Sequence, residues 1–85
     1  MKEFAEYLIK NLVDLPERVQ VNEIEGSQML ILELSADKSD LGKIIGREGR
    51  NIMAIRTLLQ AVASRMGMRV ELELLEPSHV DNTSS

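Results

Sequence analysis

Ile44-Ile45-Gly46-Arg47-Glu48-Gly49-Arg50-Asn51-Ile52 is the stretch that decides the fold of this 85-residue chain. Two glycines enclose two charged residues, with isoleucines on either side. Glycine takes backbone angles that other residues resist, and it lets a ligand's backbone come close. Upstream, residues 40–45 read as a short helix, with Ser39 as N-cap and Asp40 placed to favour the helix dipole. Downstream, Ile52, Ile55, Leu59, Val62 and Met66 recur every three or four positions. That spacing predicts a helix over 50–66 with this face buried, and Gly67 is its expected stop. A tight turn that opens a helix presents backbone N–H groups and a positive dipole end, which suit a phosphate.

Working outward, residues 2–15 carry Phe4, Leu8, Leu12 and Leu15 at helical spacing, with Tyr7 beside them and Pro16 as terminator. Residues 18–24 alternate as a strand, with Val19 and Val21 on one face; 25–28 form a turn; Leu30, Leu32 and Leu34 share a face of a second strand over 29–34. Residues 36–39 read as a polar loop. A third strand is expected over 69–75, with Val70, Leu72 and Leu74 inward and Glu71 and Glu73 outward. The order α-β-β-α-α-β predicts an α+β fold, a three-stranded mixed sheet with three helices on one face. The domain is expected over 1–76, followed by a disordered polar tail over 77–85.

The net charge of −4 argues at first against an anionic partner. Its distribution argues the other way. Between Lys38 and Arg69 the bases are Lys38, Lys43, Arg47, Arg50, Arg56, Arg65 and Arg69, and the acids are only Asp40 and Glu48. Both flanks are acidic. A local basic stretch is the footprint of a phosphate-binding face even on an acidic protein. Arg47 and Arg50 place charge at the edge of the glycine turn, and Lys43 and Arg56 add to it.

Other chemistries find little support. There is no cysteine, which excludes disulfides and thiol nucleophiles. The single histidine, His79, falls in the expected tail and has no catalytic partner. Asp37 and Asp40 suit helix capping better than metal binding. Gly42-Lys43 is followed by Ile44-Ile45, without the Ser or Thr that holds magnesium in a P-loop. No catalytic activity, cofactor or metal is expected. The N-terminus is acidic and helix-like, unlike a signal peptide, and no apolar run is long enough to span a bilayer, so a cytoplasmic location is expected. Phe4 and Tyr7 are the only large aromatics, which disfavours folds that stack bases on aromatic rings.

The segment from Ile44 to Ile52 resembles the KH signature: an aliphatic pair, G-x-x-G, and an apolar residue three positions on. The element order resembles the type II KH fold over about residues 1–76. Leu12-Val13-Asp14-Leu15-Pro16-Glu17, Asp40-Leu41-Gly42-Lys43-Ile44-Ile45-Gly46 and Ala54-Ile55-Arg56-Thr57 further resemble the small bacterial single-KH proteins of the KhpA type. The resemblance implies a non-catalytic RNA-binding protein, with a possible role as RNA chaperone or post-transcriptional regulator. In it Gly46, Arg47, Glu48 and Gly49 clamp the backbone of a single strand about four nucleotides long. Bases would lie along Leu41, Ile44 and Ile45. Glu48 departs from a purely basic loop and predicts weak binding. The resemblance also implies self-association or pairing with a larger KhpB-like partner, with links to cell shape and division.

Ala54, Leu58 and Ala61 form a second apolar stripe on the long helix, beside the buried one. It reads either as a wide core face or as a helix–helix dimer seam, where small residues allow close approach. The alternative function is thus a protein-interaction module with little RNA affinity of its own.

Overall fold

The computed structural model describes residues 1–75, so the expected tail over 77–85 lies outside the described residues. Six main elements follow the expected order: α1 Lys2–Lys10, β1 Gln20–Glu25, β2 Met29–Ser35, α2 Leu41–Ile45, α3 Arg50–Arg65 and β3 Arg69–Leu74. Single 3₁₀ turns intervene at Pro16–Arg18, Lys38–Asp40 and Arg47–Gly49. The sheet order is β1-β2-β3. The β1–β2 hairpin is antiparallel, with Val21 opposite Leu34, and the helical crossover brings β3 in parallel to β2, with Leu32 opposite Leu72. The sheet is therefore mixed.

Alternation along β2 places Leu30, Leu32 and Leu34 on the inner face. Against Leu32, Leu34, Val21 and Leu72 pack Ala5 and Ile9 of α1, Ile44 of α2, and Ile52, Ile55 and Leu59 of α3. All three helices thus close one side of the sheet. Its other side carries Asn22, Glu33, Glu71 and Glu73.

Three expectations change in detail. The first helix ends at Lys10 rather than running to residue 15, and its deepest residues are Ala5 and Ile9, while Tyr7 is exposed. The backbone N–H groups of Asp14 and Leu15 turn away from the helix to the carboxylate of Asp40, at 3.1 and 3.0 Å. On α3, Ala63 is buried instead of Val62 and Met66, both exposed. Val62 lies at the border of the stripe that Ile52, Ile55 and Leu59 define, and Met66 lies past the last helical residue.

The third change concerns the loop over 36–39. Ser39 does not cap α2, whose N-cap position is Asp40; Ser39 lies in the 3₁₀ turn Lys38–Asp40, which Asp37 caps, its Oδ2 accepting from Ser39 N at 3.0 Å and from Ser39 Oγ at 2.6 Å. These bonds, with Arg18 nearby, hold the Asp37 carboxyl below its ordinary value. A lowered carboxylate stabilises the fold above its unfolded pKa and ceases to do so as pH falls through the folded one. Asp40 is more than a dipole partner: at the N-cap position of α2 it is fully buried.

Candidate nucleic-acid interface

The chain between α2 and α3 turns on three positive φ angles within four residues. Gly46 sits at φ 77°, ψ 173°, Glu48 at φ 56°, ψ 27°, and Gly49 at φ 75°, ψ 16°. The Gly46 conformation is open essentially to glycine alone. A Cβ there would also stand 2.7 Å from Asn51 Cγ and 2.9 Å from Asn51 N. The Asn51 side chain fills that space because its Nδ2 donates to the Lys43 carbonyl at 2.8 Å, tying the start of α3 to the end of α2. Gly49 N donates to Gly46 O at 3.1 Å and closes the turn. Glu48 holds a left-handed conformation at a cost of roughly 1–2 kcal/mol for a non-glycine residue. Retained strain of this kind clusters where a ligand is gripped.

Asn51 has a positioning role that the sequence reading missed. Its presence after the second glycine was visible, but the carbonyl it reaches is eight residues back. Gly49 stands at the N-cap of α3, and no side chain caps the first turn. The positive end of a 16-residue helix therefore opens at the loop.

The electrostatics differ from the segment count. Lys43 Nζ stands 3.2 Å from Asp14 Oδ2 and 3.9 Å from Asp40 Oδ1. Arg50 Nη2 bonds Glu48 Oε1 at 3.3 Å. Among the described residues, Arg47 is the loop cation without an ion pair. Lys43, Arg47 and Arg50 thus face Asp14, Asp40 and Glu48, three charges against three. Asp14 comes from outside the basic stretch, and only folding brings it in.

The other expected site residues divide. Ile45 is partly exposed beside the loop and Leu41 is half-buried, so both remain available to a base. Ile44 is fully buried and belongs to the core, which removes it from the expected groove. Arg56 lies on the side of α3 turned to β3, where its Nη2 donates to the Leu72 carbonyl at 3.3 Å. One turn on, Gln60 Oε1 accepts from Val70 N at 3.2 Å. Since β3 is an edge strand, these two side chains cover backbone groups that face away from β2. Together with Leu59 and Glu71 they line an open cleft of about 340 Å³. The cleft joins residues of α3 to residues of β3 ten or more positions on, so no local motif announced it.

Ala54, Leu58 and Ala61 are all exposed, which decides against the wide-core reading of that stripe. Met53, Val62 and Met66 extend the exposed apolar surface along α3. Among the described residues, no group of three or more His, Cys, Asp or Glu could hold a metal, and no helix is long and apolar enough to cross a membrane.

A family model described as KhpA/KhpB, KH domain, matches residues 2–74. The chain is 60% identical over 76 residues to an RNA-binding protein KhpA of Chlamydia pneumoniae, covering 89% of this chain and 97% of that one. A protein of the same name in Borreliella burgdorferi is 51% identical over 74 residues, 87% of this chain and 90% of that one. Among solved structures, the fold is similar to part of the Aquifex aeolicus Era protein bound to GDP and aluminium fluoride. That match has a TM-score of 0.59 at 25% identity and covers 86% of this chain but 28% of the Era chain. A second Era structure, in complex with MgGDPNP and a segment of 16S ribosomal RNA, matches with a TM-score of 0.53 at 26% identity, again over 28% of its length.

Proposed function

This chain belongs to the KhpA/KhpB KH-domain family, and from that premise we propose that it is a non-catalytic cytoplasmic protein that grips single-stranded RNA at the turn Gly46–Gly49. The observation that carries this reading is the loop itself. Three positive φ angles, an uncapped helix start and Arg47, which has no ion pair among the described residues, converge on one short turn held by Asn51. Backbone N–H groups and Arg47 meet the phosphates. Bases then run along Leu41 and Ile45 and toward the cleft where Arg56 and Gln60 offer polar atoms. The name RNA-binding protein carried by relatives of up to 60% identity agrees with it.

The test is fluorescence anisotropy of a labelled single-stranded RNA pool at low and high salt. The paired change Arg47→Asp with Glu48→Asp keeps a short polar residue at the left-handed position, which aspartate tolerates. It should weaken binding by about tenfold or more and flatten the salt dependence by about one phosphate contact, with the thermal unfolding midpoint nearly unchanged. Equal binding by both proteins would take the loop out of the interface.

A second reading is favoured by the exposed stripe Ala54, Leu58 and Ala61. Here α3 packs against a second copy or a KhpB-like partner, and the pairing serves cell shape and division. Association would set two loops side by side and raise the weak affinity of each by avidity. Leu58→Glu should change the stability of the separate chain by only about 0.5 kcal/mol, as surface substitutions do, yet shift sedimentation toward monomer. An unchanged sedimentation profile would count against the seam.

A further inference from the structure

Asp14 lies 26 residues before Asp40 and outside the basic stretch, yet it reaches Lys43, a cation close to the loop. Its backbone N–H is fixed by Oδ1 of the fully buried Asp40, so its position does not depend on the ion pair. Its carboxylate is mostly solvent-exposed and sits 3.2 Å from Lys43 Nζ, a lysine whose own side chain is about half exposed. Lys43 lies in α2, three residues before Gly46, and its carbonyl is the one that Asn51 holds. The cation is therefore anchored beside the loop while its charge is engaged most closely by an acid from the α1–β1 connection, Asp40 Oδ1 lying farther off at 3.9 Å.

Resting on the reading of the loop as the phosphate grip, we propose that Asp14 is an intramolecular stand-in for RNA phosphate that occupies Lys43 and sets the affinity of the site. A carboxylate and a phosphate offer a lysine the same chemistry, oxygen acceptors bearing negative charge. RNA must displace the first to use Lys43, and the gain is reduced by the ion pair that is lost. Exposed pairs of this kind are worth less than about 1 kcal/mol, so the brake is graded rather than absolute. The arrangement gives the protein an affinity low enough for release. It also makes Asp14 an affinity-determining residue with no RNA contact of its own.

The experiment is anisotropy with the single-stranded RNA pool on four full-length proteins: wild type, Asp14→Asn, Lys43→Gln and the double variant. Asparagine keeps the backbone bond to Asp40 and almost the same shape, and matching amide spectra establish that each protein is folded. Asp14→Asn should bind about two- to fivefold more tightly than wild type at low salt, that range being the exposed pair's worth converted to a ratio. Its log–log salt slope should steepen by up to about 0.7, one further phosphate contact on a single strand. In the Lys43→Gln background the same change should have no effect, since the coupling runs through the lysine. Unchanged or weaker binding by Asp14→Asn, with loop-dependent binding by wild type, overturns this role and leaves the loop reading intact. An equal gain with and without Lys43 also overturns it, leaving general repulsion as the cause. Failure of both wild type and Asp14→Asn to bind removes the loop reading and this role together.

Discussion

Asp40→Ala should lower the stability of the fold by about 3 kcal/mol, read as a shift in the urea midpoint at constant slope. Asp40 is fully buried and its two oxygens accept from Asp14 N at 3.1 Å and Leu15 N at 3.0 Å. Alanine leaves both donors without a partner in a part-buried site. Each orphaned group costs about 1–3 kcal/mol, and the vacated volume adds to that. Asparagine keeps one acceptor and turns an amide toward the other N–H, so Asp40→Asn should fall about halfway between. A domain of this size has only about 5 kcal/mol in hand, so the alanine variant should be partly unfolded at body temperature. Hydrogen exchange of the Asp14 and Leu15 amides checks the cause. Both should be protected in the wild type and lose protection first in the variant. Equal stability of the two proteins would mean that the connection between α1 and β1 is held by its apolar contacts alone.

The second large effect separates the two glycines of the loop. Gly46→Ala should cost about 2–4 kcal/mol, because the backbone conformation is glycine-only and the new methyl group collides with Asn51. Relief of the collision requires Asn51 to release the Lys43 carbonyl, so the damage spreads to the junction of α2 and α3. Gly49→Ala meets nothing closer than Ile52 Cγ2 at 4.0 Å and sits in the ordinary left-handed region. It should cost about 1–2 kcal/mol. Thermal unfolding of the pair is the check, and equal losses would show that the Asn51 contact does not discriminate between them. The motif is symmetric in sequence, but the first glycine is required by sterics and the second only by backbone angle.

The element order, the mixed sheet and the position of the loop were all legible in the residues, because each rests on a local signal. Period two marked Leu30, Leu32 and Leu34; the period of a helix marked Ile52, Ile55 and Leu59; glycine marked the turn. What was not legible depends on long-range neighbours. The first helix was read too long because Leu12 and Leu15 keep helical spacing, whereas the donors at Asp14 and Leu15 are taken by Asp40 some 25 residues on. Ile44 and Ile45 look alike in sequence, yet one faces the core and the other the solvent, a matter of rotation by a single residue. The charge of the site was misjudged for the same reason. A segment with five surplus positive charges meets Asp14 from elsewhere, and the neighbourhood of the loop comes out balanced.

That balance bears on function. On the proposed reading, a loop whose neighbouring charges balance would depend on backbone N–H groups and on Arg47, the loop cation without an ion pair among the described residues, and should bind many sequences weakly rather than one tightly. Under the pairing proposed above, weak contact by each copy would be offset by avidity, with the exposed stripe on α3, including Leu58, as the candidate surface.

The most direct test of the central claim is a nitrogen–proton NMR titration of the wild-type protein with a short single-stranded RNA. The largest shifts should fall on the amides of Gly46, Arg47, Glu48, Gly49, Arg50 and Asn51, with smaller ones at Ile45 and along the cleft at Val70 and Leu72. Shifts confined to the exposed face of α3 around Leu58, or to the outer face of the sheet around Glu33 and Glu73, would contradict it.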